Sequence, residues 1–169
     1  EQERVDQYSH PLYQKAVDTV DGQKFEVIPP GVNETIFNQR LSSTDTQQTS
    51  KLDAIPGLNE KPAILVSSRL DKKKNIEGLV KAYSESRALR NAASLVLCVR
   101  GIDDPKLDIF SLEKEEKEVL GNIIDTIDSN NMASQVYFLN ISSQLELAAT
   151  YRYFARLGSV FALTSVYEP

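Results

Sequence analysis

Four cations, Arg69, Lys72, Lys73 and Lys74, fall within six positions of a chain whose 24 acidic residues outnumber its 19 lysines and arginines, for a formal charge of −5. They follow the apolar run AILVS (63–67) and precede Asn75, where a helical pattern opens. The first N–H groups of a helix are unsatisfied and carry partial positive charge. An arginine can fork two phosphate oxygens, and a lysine five residues later can approach from the other side as a point charge. The stretch therefore reads as an anion site. It reads equally as a solvated basic turn balanced by Asp71, and both readings stand at this point. Phosphate here would be held by side chains, because neither G-x-x-x-x-G-K followed by Ser or Thr nor G-x-G-x-x-G occurs after an apolar run.

Other candidate chemistry is sparser. RGIDDP (100–105) offers a glycine for a tight turn and two carboxylates, a turn or at most a weak metal site without a nearby histidine. NISSQ (140–144) sets Asn, Ser and backbone amides at a helix start, suited to a base or sugar, or simply to capping. Cys98, the one cysteine, sits in an apolar run and can form neither an internal disulfide nor a metal cluster, which fits a reducing, cytoplasmic setting.

These loops need elements to position them. AILVS, SLVLCV (94–99), QVYFL (135–139) and SVFALTS (159–165) are short apolar runs of the kind that form strands buried on both faces. Between them, Ile76, Leu79, Val80 and Tyr83 recur at helical spacing behind Asn75 as cap, and Val119, Leu120, Ile123, Ile124 and Ile127 make a second stripe. A third helix opens at SSQLE, where Ser143 and Glu146 have capping-box spacing, and stops at Gly158. Alternating strand and helix predicts an α/β class, a Rossmann-like doubly wound parallel sheet with ligands beyond the carboxyl ends of its strands. Residues 1–38 read as a lead-in segment and hinge turn, 39–60 as a polar flexible loop with little to bury, and 61–169 as the Rossmann-like domain. The last apolar run passes into SVYEP and stops, so the domain is expected to be a fragment, incomplete at its C-terminus, with an exposed edge open to self-association. Apolar stretches are too short for a membrane span, EQERVDQYSHPLY lacks the apolar core of an export signal, and the net negative charge argues against nucleic acid.

The motifs HPLY, KFEVIPPGVN, SSRLDKKKNIEGLVKAYSES and GSVFALTSVYEP, in that order, resemble the donor-binding half of retaining glycosyltransferases with two Rossmann domains (GT-B). More narrowly, they resemble the sucrose-phosphate synthase branch, including mannosylfructose-phosphate synthases. The likeness covers nearly the whole chain and is weakest over 39–60. It implies that Arg69 and Lys74 hold the donor's diphosphate and stabilise it as it leaves, without a metal. It also implies that Leu139 and Asn140 cradle the nucleobase through backbone contacts, and that Glu168, the first glutamate of an E-x7-E element, meets the transferred hexosyl unit. Gly31 would permit a close turn at the hinge, His10 would be structural, and Arg4 would lie near an acceptor phosphate. The implied ligands are a nucleotide sugar, UDP-glucose or GDP-mannose, and a sugar phosphate such as fructose 6-phosphate, with no tightly bound cofactor. Catalysis would need an N-terminal Rossmann domain missing from this sequence, so the fragment is expected to be inactive alone. The competing reading is a non-catalytic α/β binding or receiver-like regulatory module using Asp103 and Asp104. A receiver, however, carries carboxylates after its first strand, where this chain carries cations.

Overall fold

The computed structural model describes residues 31–166. Of these, 34–166 fall in one compact unit and 31–33 in another. HPLY, most of KFEVIPPGVN, and the positions Arg4, His10 and Glu168 lie outside the described residues.

Among the described residues, four strands, β1 (Ala63–Ser67), β2 (Ser94–Cys98), β3 (Val136–Leu139) and β4 (Val160–Phe161), form one parallel sheet in the order β3-β2-β1-β4. The helices are α1 (Ser43–Asp53), α2 (Ile76–Glu85), α3 (Arg87–Ala92), α4 (Pro105–Asp108), α5 (Lys114–Ser129) and α6 (Gln144–Arg156). This is the Rossmann-like α/β architecture that the alternation predicts.

Side chains alternate across a strand, so β2, buried along its whole length, feeds two cores. Leu95, Leu97 and Val99 pack with Ile76, Val80 and Tyr83 of α2 and Val119, Leu120 and Ile123 of α5. Val96 and Cys98 pack on the other face with Leu52 of α1, Leu58, and Tyr153 and Phe154 of α6. Burial on both faces is thus observed for the centre of the sheet. It fails at β4, where Val160 and Phe161 are exposed and the strand is two residues long instead of seven. Among the described residues β4 is an edge strand that pairs with β1 alone, and nothing there buries its outer side.

Helix α1 corrects the expectation of a polar flexible loop over 39–60. The segment has few apolar residues, but Leu52 and Leu58 are both buried, and its start is organised by a carboxylate. The Ser42 backbone N–H and hydroxyl both donate to Asp45 Oδ2 at 2.8 Å. Asp45 also receives Arg152 of α6, Nε to Oδ1 at 2.6 Å and Nη2 to Oδ2 at 2.9 Å. The remaining guanidinium nitrogen, Nη1, donates to the carbonyls of Ile36 and Asn38 at 3.2 and 3.0 Å. One arginine therefore ties α1, α6 and the strand-free segment before α1 together.

Helix α6 starts and stops as read. Ser143 Oγ accepts the Glu146 N–H at 3.2 Å, and Gly158 beyond the C-terminus has φ 72°, a conformation that costs glycine nothing. Helix α2 starts differently from the expectation. Asn75 lies in the left-handed region (φ 52°, ψ 37°), and its side chain makes no capping bond. A three-residue 3-10 turn, Lys72–Lys74, precedes it, and the chain must reverse its winding to enter α2. Asparagine tolerates that conformation better than most residues. The Asn75 amide then lies against Gly78, where a Cβ would come within 2.4 Å of Asn75 Oδ1.

Candidate functional site

A cavity of about 470 Å³ opens at the carboxyl ends of β1, β2 and β3. Ser67, Ser68 and Arg69 reach it from β1, Cys98, Val99 and Arg100 from β2, Ile141 to Ser143 from the β3–α6 loop, and Gln144 from the first turn of α6. Leu112 and Glu116 close it from the α5 side. Its position follows from the topology, since every crossover leaves its strand at this end.

Of the sequence-predicted residues, Arg69 lines the cavity and Lys74 does not. Leu70, 2% exposed, anchors the loop in the core and leaves Arg69 largely in solvent, where its Nη2 is 2.9 Å from Asp71 Oδ2. The turn reading is correct to that extent: Arg69 is balanced by Asp71, with a solvent-screened pair of small worth. Lys72 is also committed elsewhere. Its Nζ is 2.8 Å from Glu118 Oε1, and this bond raises the lysine's pKa and lowers the glutamate's. The backbone of the 3-10 turn is tied to the segment after β4, with Thr164 Oγ1 donating to the Lys74 carbonyl at 2.8 Å and Val166 N–H to the Lys73 carbonyl at 2.9 Å. The crevice where the strand order reverses, between β1 and β4, is therefore bridged by hydrogen bonds, and the cavity sits beside it.

At the β3 end, Leu139 and Asn140 do not line the cavity, while the next four residues do. The Leu139 carbonyl accepts Val99 N–H at 3.0 Å. Asn140 Oδ1 accepts Gly101 N–H at 2.7 Å, and its Nδ2 donates to Asp103 Oδ2 at 2.9 Å, bracing the β2 loop. Ser142 N–H and Oγ donate to Glu146 Oε2 at 3.0 and 2.6 Å, which holds that carboxyl below its usual pKa. The hydroxyls expected to meet a base or sugar are thus engaged in building the α6 start.

Arg100, Glu116 and Gln144 line the cavity with side chains that have no hydrogen-bond or ion-pair partner among the described residues. Sequence reasoning passed over Arg100 and Glu116. The signal for Arg100 was an arginine directly after the buried run SLVLCV, the same context that marked Arg69 after AILVS. The carboxylates of RGIDDP serve the turn: Asp104 caps α4 through Lys106 N–H at 3.0 Å, and Asp108 Oδ2 accepts the N–H groups of Asp103 and Asp104 at 2.8 Å each. No cluster of three His, Cys, Asp or Glu able to hold a metal occurs among the described residues. Gly31 is exposed, with a backbone outside the left-handed region, so no positive φ requires a glycine there.

Cys98 forms part of the cavity floor but is 3% exposed, and burial pushes its thiol pKa up to about 12. At pH 8 the thiolate fraction is on the order of a thousandfold below that of a free cysteine. Iodoacetamide is expected to leave the folded chain unlabelled over hours and to label it in minutes in guanidinium. Equal rates in the two conditions, read by mass spectrometry, would show that Cys98 is open.

No protein-family model matches the chain. It is 36% identical over its full 169 residues to a probable sucrose-phosphate synthase of Thermosipho melanesiensis, and spans 33% of that protein. It is 31% identical to the sucrose synthase of Nitrosomonas europaea over 95% of this chain and 22% of the other. To sucrose-phosphate synthase 4 of Arabidopsis thaliana it is 37% identical over 64% of this chain and 10% of the relative. The chain thus covers about a third or less of the length of these relatives. Among the described residues, no helix is long and apolar enough to cross a membrane.

Proposed function

Because the chain is similar along its whole length to part of one probable sucrose-phosphate synthase, we propose that it is the donor-binding portion of a retaining glycosyltransferase, with UDP-glucose as donor and fructose 6-phosphate as acceptor. The observation that carries this reading is Arg69 on a cavity at the carboxyl ends of a parallel sheet.

Breaking a glycosyl–phosphate bond builds negative charge on the departing diphosphate. A guanidinium already in place stabilises that charge without reorganisation and without a metal. The pair with Asp71 is solvent-exposed, so exchanging the carboxylate for a phosphate costs little. The donor would run along the strand ends, its diphosphate at β1 and its base toward the β3–α6 loop. Lys74 as second cation, Leu139 and Asn140 at the base, Glu168 at the hexosyl unit and Gly31 at the hinge are assigned by the resemblance alone. The acceptor pocket would belong to a second Rossmann domain, and a soluble cytoplasmic setting fits both substrates.

Calorimetric titration of the full chain with UDP tests the reading. UDP is expected to bind weakly, and Arg69→Ala to weaken it by about tenfold to a hundredfold, the worth of a charge-assisted hydrogen-bond pair. Equal affinity for both proteins would overturn the assignment of Arg69. A receiver-like module predicts instead a divalent cation bound at Asp103, with no dependence on Arg69.

A further inference from the structure

We infer that Arg100 is a second nucleotide-binding arginine, meeting the α-phosphate of the nucleoside diphosphate that Arg69 holds farther along. The inference rests on the donor-site reading above and adds a residue that the motifs do not assign.

Three observations carry it. Arg100 follows β2, the strand between β1 and β3, so it stands between Arg69 and the Ile141–Gln144 segment on the rim of one cavity. A ligand reaching from the first to the last must pass it. Second, the Arg100 guanidinium has no carboxylate or carbonyl partner among the described residues, in a chain with an excess of acidic side chains. Arg69 and Lys72 nearby are each matched to a carboxylate at 2.9 and 2.8 Å. Glu116 lines the same cavity without forming an ion pair with Arg100. Third, the neighbouring wall is apolar, with Leu70, Val99, Leu112 and Leu147, which lowers the local dielectric and strengthens attraction for a bound anion.

The two arginines should divide the nucleotide between them. Arg69 faces the diphosphate end, where charge grows during transfer, and Arg100 the phosphate nearest the nucleoside, which changes little. A monophosphate separates these roles. The full chain and its variants Arg100→Ala, Arg100→Lys and Arg69→Ala would be titrated with UDP, UMP, GDP and GMP by calorimetry. With the matching base, Arg100→Ala is expected to weaken the monophosphate and the diphosphate alike by about tenfold, with Arg100→Lys in between. Arg69→Ala should weaken the diphosphate more than the monophosphate. Arg100 is exposed and unpartnered in the fold, so its variants should melt at the wild-type temperature. Wild-type affinities in Arg100→Ala, together with loss of UDP or GDP binding in Arg69→Ala, would overturn the role of Arg100 and leave the donor site standing. A wild-type chain that binds neither UDP nor GDP would overturn both.

Discussion

Arg152→Ala is expected to cost about 3–5 kcal/mol of stability and to lower the melting midpoint by on the order of 10 °C. The arginine side chain is 14% exposed and its partner Asp45 5%, so the variant strands a carboxylate in a site that water barely reaches. It also releases the carbonyls of Ile36 and Asn38. The pH dependence follows from the same geometry. Arg152, with Ser42 assisting against the cost of burial, holds the Asp45 carboxyl well below the usual carboxylate range. A depressed folded pKa stabilises above the unfolded value of about 3.9, and the contribution is lost as pH falls from there toward the folded value. Wild-type stability should therefore decline on the acid side more steeply than that of Arg152→Ala. Pairing two charges in a dry site is costly in itself, so the double variant Asp45→Leu/Arg152→Met should lose less than Arg152→Ala alone. Chemical denaturation of the three proteins between pH 3 and 7 checks each step. A double variant as unstable as the single would refute the desolvation argument.

That ion pair also shows where a sequence stops being legible. Asp45 and Arg152 are 107 residues apart, and α1 depends on their meeting. Seen locally, the stretch around Asp45 is a string of Ser, Thr and Gln with nothing to bury, so no periodicity announces a helix. The central strands and α2, α5 and α6 were legible because their apolar spacing is a local property that the core simply accepts. β4 has the same composition, yet its burial depends on what lies on its outer side, which composition cannot state. The site divides the same way. An arginine after a buried strand must surface at the strand's carboxyl end, which placed Arg69 on the cavity and would have placed Arg100 there too. Lys74 lies five residues farther on, at the end of a 3-10 turn and just ahead of the left-handed Asn75, and spacing alone could not follow the chain around that turn.

Phe154→Ala is expected to cost about 3–5 kcal/mol, and its consequence should appear at the cavity. The ring is 1% exposed and stands edge-on to Tyr153, with centroids 5.2 Å apart. It belongs to the cluster that joins α6 to Leu65 of β1, Val96 and Cys98 of β2 and Leu139 of β3, the strands whose ends shape the candidate site. Close-packed interiors relax only partly around a deleted ring, so the variant should leave a void in the cluster between α6 and the sheet that also holds Cys98. Cys98 reports on it, being in the same cluster and protected in the wild type by burial alone. Iodoacetamide labelling of the variant should then accelerate well beyond the wild-type rate under conditions where circular dichroism still reports a folded chain. Phe154→Leu, which retains much of the volume, should label more slowly than the alanine variant. Phe110→Ala, at a ring 76% exposed and outside both cores, should label at the wild-type rate. Acceleration in Phe110→Ala equal to that in Phe154→Ala would mean that Cys98 becomes accessible through general loosening, and the link between this core and the cavity floor would be lost.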